Sequence, residues 1–131
     1  MTEPDNGNTD LPVPHLKTIL LVDDQDDYRL TTKWFLSSFS FVVESARSAQ
    51  EALALFDSKT HDLVITDNTM PGMTGVELAH IIKLRSPSTP VLMCSGLLPE
   101  DQTCLDVVLQ KPVGLLTLKE AVDKLLASPP P

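Results

Sequence analysis

Short apolar runs recur at Thr18–Val22, Phe41–Glu44, Leu63–Thr66, Val91–Cys94 and Val107–Gln110, and the segments between them carry helical spacing. No other feature limits the fold as strongly. Neighbouring parallel strands must be joined by a long crossover, usually a helix. Strand–helix alternation repeated along one chain therefore predicts an α/β protein with a doubly wound parallel sheet and helices on both faces. The first, third and fourth runs are almost uninterruptedly apolar. Strands covered on both faces require that pattern.

Between the runs, Tyr28, Leu30, Phe35, Leu36 and Phe39 mark a first helix, with Asp26 or Asp27 near its start, where the dipole favours acid. Trp34, mid-helix among apolar neighbours, reads as a packing residue. Ala49, Ala52, Leu53 and Phe56 mark a second helix, with Ser48 as N-cap and Glu51 in capping-box register. Val76, Ala79, Ile81 and Ile82 mark a third, ending before Pro87. Leu118, Ala121, Val122 and Leu125 mark the last. Only Glu100 to Leu105 is left for a helix before the fifth run, so that helix is expected to be short or irregular.

The 131 residues suit one domain with a real core. Residues 1–16 read as a disordered arm, 17–127 as the folded domain, and 128–131 as a proline-rich tail or the start of a linker. A net charge of -8 and the lack of any Lys/Arg cluster exclude a phosphate-backbone footprint, so no direct nucleic-acid binding is expected. No apolar run approaches the roughly 20 residues of a membrane span. The N-terminus carries no secretory pattern, and a cytoplasmic location is expected. Cys94 and Cys104 lack metal-ligand spacing, and Cys94 reads as a buried, reduced thiol. His15, His61 and His80 fall in arm, loop and helix without a matched carboxylate or serine, which argues against a catalytic or metal role.

Polar residues stand where the apolar runs stop: Asp23 and Asp24 after the first, Asp67 after the third, Ser95 after the fourth and Lys111 after the fifth. Open α/β sheets bind ligands beyond the carboxyl ends of their strands, so these groups are expected to converge. A carboxylate can attack phosphorus to form an acyl phosphate, provided other groups offset the charge on the transferring oxygens. Mg²⁺ suits one or two carboxylates plus phosphate oxygens and water. Blander readings stand beside these. Asp67 can cap the next turn, an aspartate of the pair can cap the first helix, Ser95 can bond local backbone, and Lys111 alone is a solvated loop lysine.

Four motifs, in order and each at a strand end, carry a resemblance: ILLVDDQ (Ile19–Gln25), VITDNTMPGMTG (Val64–Gly75), VLMCSG (Val91–Gly96) and LQKP (Leu109–Pro112). From Lys17 to Ala127 the chain resembles the receiver domain of bacterial response regulators, the flavodoxin-like module of two-component signalling. The LQKP ending and the SG after the fourth strand look most like receivers of hybrid sensor kinases. The resemblance implies a five-stranded sheet of order 2-1-3-4-5 and Asp67 as phosphoacceptor. It implies Mg²⁺ (or Mn²⁺) ligated by Asp24, Asp67 and the Thr69 backbone carbonyl, with Asp23 acting mainly through a water. Ser95 matches the switch hydroxyl, and Lys111 the charge partner of the phosphoryl group, aimed by a cis bond to Pro112. Gly96 leaves room for the phosphodonor, and Met70-Pro71-Gly72 with Gly75 form the turn after the third strand. The implied partners are a histidine kinase or histidine phosphotransfer domain, with an output domain or a homodimer as further options. The implied chemistry is self-catalysed phosphotransfer and autodephosphorylation, not enzymatic turnover.

The chain also departs from the family. Val108 and Val113 stand where aromatic residues are usual, and the segment from Ser95 to Lys111 is short. A stiff β-branched valine cannot sweep the arc of an aromatic ring, so the usual readout surface is expected to be altered. A docking or dimerisation module without phosphorylation is the alternative. A phosphatase with an aspartyl-phosphate intermediate ranks last, since its general acid would fall at Thr69.

Overall fold

Along β1 (Thr18–Val22) successive side chains turn to opposite faces, and both faces are covered. Ile19 and Leu21 join Leu36, Leu63, Ile65, Leu92, Leu118 and Val122 in one core layer. Leu20 and Val22 join Ala46, Ala49, Val64, Leu78, Ala79 and Ile82 in the other. Each fully buried Leu, Ile or Val contributes about 1.5–3 kcal/mol relative to exposure, so the two layers supply most of the driving force. A computed structural model describes residues 16–127. The expected arm except Leu16, with His15, and the expected tail lie outside the described residues.

After β1 come α1 (Asp26–Ser37), β2 (Val42–Ala46), α2 (Ala49–Ser58), β3 (Leu63–Thr66), α3 (Gly75–Arg85), β4 (Val91–Ser95), β5 (Val107–Gln110) and α4 (Leu115–Leu126). All pairings are parallel, and the sheet order is β2-β1-β3-β4-β5, as expected. Helices α1 and α4 pack on one face, α2 and α3 on the other. β2 starts and ends later than its apolar run. Pairing with β1 carries it through polar Ser45 to Ala46, whose carbonyl accepts the Asp23 N–H at 3.1 Å.

Among the described residues no helix forms between β4 and β5; residues 96–106 are irregular. Cys104 and Leu105 from this segment still pack on the α2/α3 layer. Asp106 pins its end, accepting from the Val91 N–H at 2.7 Å and from Lys83 Nζ at 2.8 Å.

Several local expectations need correction. Trp34 is not a packing residue: it is 71% exposed, and Leu30 on the same helix is 57% exposed. The buried face of α1 is Arg29, Thr32 and Leu36, spaced three and four apart, which leaves Leu30 and Trp34 on the outer side. Phe39 lies just past the helix, set edge-on to Phe35. Ser48 caps α2 by accepting the Glu51 N–H, but Glu51 reaches Arg47 N–H instead of closing the box. The complete capping box is Thr74 with Glu77, at the start of α3. His61 and His80 do have carboxylate partners. His61 is buried, stacked on Phe56, with Nε2 2.7 Å from Glu44, and His80 Nε2 lies 2.9 Å from Asp101. Both cysteines are free and Cys94 is buried, where burial pushes its thiol up to about 12.

Candidate functional site

β1 and β3 are adjacent, and the winding reverses between them: α1 leads outward to β2, α3 outward to β4. Crevices of open α/β sheets form at that point. Asp23 and Asp24 leave the end of β1 there, and Asp67 leaves the end of β3 beside them. One carboxylate oxygen from each of the three lies within 4.8 Å of the others. Lys111, just past β5, reaches back across the strand ends. Its Nζ stands 3.0 Å from Asp23 Oδ2, 3.5 Å from Asp67 Oδ2 and 3.5 Å from Gln25 Oε1. The Lys111–Pro112 bond is cis, as expected.

The structure brings together Asp23, Asp24, Asp67 and Lys111. A cleft of about 450 Å³ is lined by Asp24, Asp67 and Lys111 with Gln25, Thr69, Gly96 and Leu97, while Asp23 lies buried beside it. Asp23 and Asp67 are buried and Asp24 is exposed. Ser95 is wholly buried and does not line the cleft; its hydroxyl donates to the Leu97 carbonyl at 2.7 Å. That contact is the local-backbone reading of the residue. A β-carbon on Gly96 would meet nothing within 4 Å, so the cleft is open there.

Electrostatics sharpen the site. Burial holds the Asp67 carboxyl above its usual range; Lys111 and the Asn68 N–H pull it down, while Asp23 pushes it further up. Among the described residues, the Lys111 ammonium is the cation paired with Asp23 and Asp67 in this space. Three oxygens at this spacing fit a divalent cation with octahedral oxygen ligation, so the donor set suits Mg²⁺. A larger cavity, about 630 Å³, opens near Lys17, Pro90 and Leu126, away from these residues. Its acids are already engaged: Asp62 accepts the Thr18 N–H, and Asp106 is bonded as described above. The chemistry therefore favours the smaller cleft.

Sequence reasoning missed three supports of the site. Arg29, 5% exposed, donates to the Asp23 carbonyl at 2.9 Å and to Asp26 at 2.6 Å. Tyr28 places its ring centroid 4.1 Å from Lys111 Nζ. Gly75 packs on the backbone of Asp67 and Asn68, and its N–H donates to the Asn68 carbonyl at 3.0 Å. Spacing of three residues to Thr32 and four more to Leu36 would have flagged Arg29; Tyr28 and Gly75 read in the sequence only as a helix position and a turn glycine, and nothing local gives their contacts.

A sheet wound in this order, with its charged groups gathered where the winding reverses, makes the protein a flavodoxin-like α/β module. Within that class the chain belongs to the response regulator receiver domain family, whose model matches residues 19–123. It is 34% identical over 110 residues to the response regulator protein PilR of Pseudomonas aeruginosa, a match covering 79% of this chain and 24% of PilR. The chain thus spans about a quarter of that relative's length. Among solved structures, the response regulator TrrA of Thermotoga maritima, in complex with Mg²⁺ and beryllium fluoride, is 31% identical with a TM-score of 0.80. That match covers 85% of this chain and 100% of TrrA. The receiver domain of the hybrid histidine kinase CckA is 32% identical with a TM-score of 0.75, covering 83% of this chain and 98% of the other. Among the described residues no helix is long and apolar enough to cross a membrane.

Proposed function

We propose that this chain is a phosphorylation-dependent signalling switch that accepts a phosphoryl group on Asp67 from the phosphohistidine of a histidine kinase or histidine phosphotransfer domain. The observation that carries this reading is the Lys111 ammonium seated between Asp23 and Asp67, beside a carboxylate trio of metal-binding spacing. An Asp67 oxygen forms the bond to phosphorus as the phosphorus–nitrogen bond breaks. The electron pair goes to the donor imidazole, which takes a proton from water. Lys111 holds positive charge against the phosphoryl oxygens, and the open side at Gly96 admits the donor.

Asp24, Asp67 and the Thr69 carbonyl would hold Mg²⁺ or Mn²⁺, with Asp23 reaching it through a water. A bound divalent cation supplies charge that keeps Asp67 ionised and offsets the developing phosphoryl charge. TrrA, similar in fold and crystallised with Mg²⁺ and beryllium fluoride, supports this assignment. The chemistry is self-catalysed transfer and slow loss of the domain's own acyl phosphate, without turnover of a foreign substrate. The switch acts in the cytoplasm, away from nucleic acid and membrane, through an output domain or a homodimer. Incubation with a small phosphodonor and Mg²⁺ should add the mass of one phosphoryl group to the unmodified chain and none to Asp67→Asn.

A second reading, a docking or dimerisation module that is never phosphorylated, is favoured by the Ser95 hydroxyl bonded to Leu97 and by the irregular 96–106 segment. Absence of added mass in both proteins would establish it over the switch.

A further inference from the structure

Lys111 meets acids on one side and an aromatic face on another. We propose that Tyr28 is a positioning residue for Lys111: its ring holds the ammonium within reach of Asp67 and so sets how tightly the site retains a phosphoryl group. This deepens the switch reading and rests on it.

The Lys111 ammonium is drawn unequally. Asp23 Oδ2 is 3.0 Å away and Asp67 Oδ2 3.5 Å away, so the acids alone favour a lysine that leans toward Asp23. A long, flexible side chain also loses considerable rotamer freedom when held in one place. The Tyr28 ring, 4.1 Å from Nζ, lies well inside the roughly 6 Å range of a cation–π contact. With the lysine side chain only 16% exposed, that contact is partly shielded from water, where it is strongest.

The ring itself is held in place. Tyr28 is in the first turn of α1, and the next residue, Arg29, anchors that turn through the Asp23 carbonyl and the Asp26 carboxylate. Burial, with Cys94 and Asp23 nearby, raises the phenol above its usual range. The hydroxyl therefore stays neutral at ordinary pH, and the ring face, not a phenolate charge, meets the ammonium. The hydroxyl is then dispensable for this role and the ring is not.

Titration calorimetry with Mg²⁺ and beryllium fluoride, a stand-in for the phosphoryl group, tests this. Tyr28→Leu should bind beryllium fluoride roughly tenfold more weakly, while Tyr28→Phe stays within about twofold of the unmodified chain. Mg²⁺ affinity, which depends on the acids, should be unchanged in both. In a Lys111→Met background, Tyr28→Leu should have no further effect, because the ring acts through the lysine. Wild-type affinity in Tyr28→Leu, an equal loss in Tyr28→Phe, or a parallel fall in Mg²⁺ affinity would overturn the inference. Should Tyr28→Leu fail to fold, Tyr28→Met is held to the same criteria. If the unmodified chain binds no beryllium fluoride, the switch reading falls and this inference with it. If it binds and Tyr28→Leu binds equally, only the inference falls.

Discussion

Replacing Gly75 by alanine should damage both the fold and the phosphoacceptor, because the first residue of α3 lies directly on the backbone that carries Asp67. A β-carbon there would sit 2.9 Å from the Asp67 carbonyl carbon and from Asn68 Cα, and inside contact with the Asp67 carbonyl oxygen. Carbon atoms rest about 3.5–4.0 Å apart, so a gap of roughly 0.6–1 Å must open. The obstacle is main chain, which no rotamer change can relieve. Nor can α3 back away freely, since the Gly75 N–H donates to the Asn68 carbonyl and the Val76 N–H to Asn68 Oδ1, each at 3.0 Å. Overpacking of this kind costs about 1–3 kcal/mol. The main-chain obstacle places it at the upper end, which lowers the melting temperature by roughly 10 °C in a domain of this size. A reacting group displaced by about 1 Å loses on the order of 10²-fold in rate, so phosphoryl uptake should fall by that order. Thermal melts and mass-resolved uptake from a small phosphodonor measure the two effects. Gly96→Ala, which adds a methyl to open space, is the control for the thermal melts. A Gly75→Ala protein that melts and takes up phosphoryl like its parent would refute the packing argument.

Three further outcomes are expected. Asp67→Asn should stabilise the metal-free protein at neutral pH and abolish stabilisation by Mg²⁺, because burial and Asp23 disfavour the Asp67 charge. The sign follows from a raised folded-state value: this group's contribution is fully present below the ordinary aspartate value and is lost as pH rises through the raised one, so the variant should have a flatter pH–stability curve between those two values. No Mg²⁺-dependent rise in the parent's melting temperature would count against the metal site. Glu44 is held below its usual range, first by Lys59 and then by His61, so its contribution is present above the ordinary glutamate value and lost as pH falls through the depressed one. Glu44→Gln should therefore flatten the acid limb of the stability curve, and an unchanged limb would contradict the pairing. Trp34→Ala should change stability by less than about 0.5 kcal/mol in denaturant melts, since the side chain is 71% exposed; a loss above about 2 kcal/mol would mean the ring packs after all.

What local sequence determined here was the set of strands and the residues at their ends. Strands buried on both faces need uninterrupted apolar runs, and the polar residue closing each run lies at the carboxyl edge wherever the strand sits. Asp23, Asp24, Asp67 and Lys111 were legible for that reason, although Asp23 and Lys111 are 88 residues apart. Tertiary packing decided the rest. The inner side of α1 turned out to hold Arg29 and Thr32, because the Asp23 carbonyl could satisfy a buried guanidinium, and this put Trp34 in water. β2 ran on through Ser45 because β1 offered it partners. The ring over Lys111, the glycine against Asp67 and the carboxylate beside His61 each depend on which elements the chain lays next to one another. Such contacts form only after the sheet has closed, between residues whose own neighbours in the chain carry no trace of them.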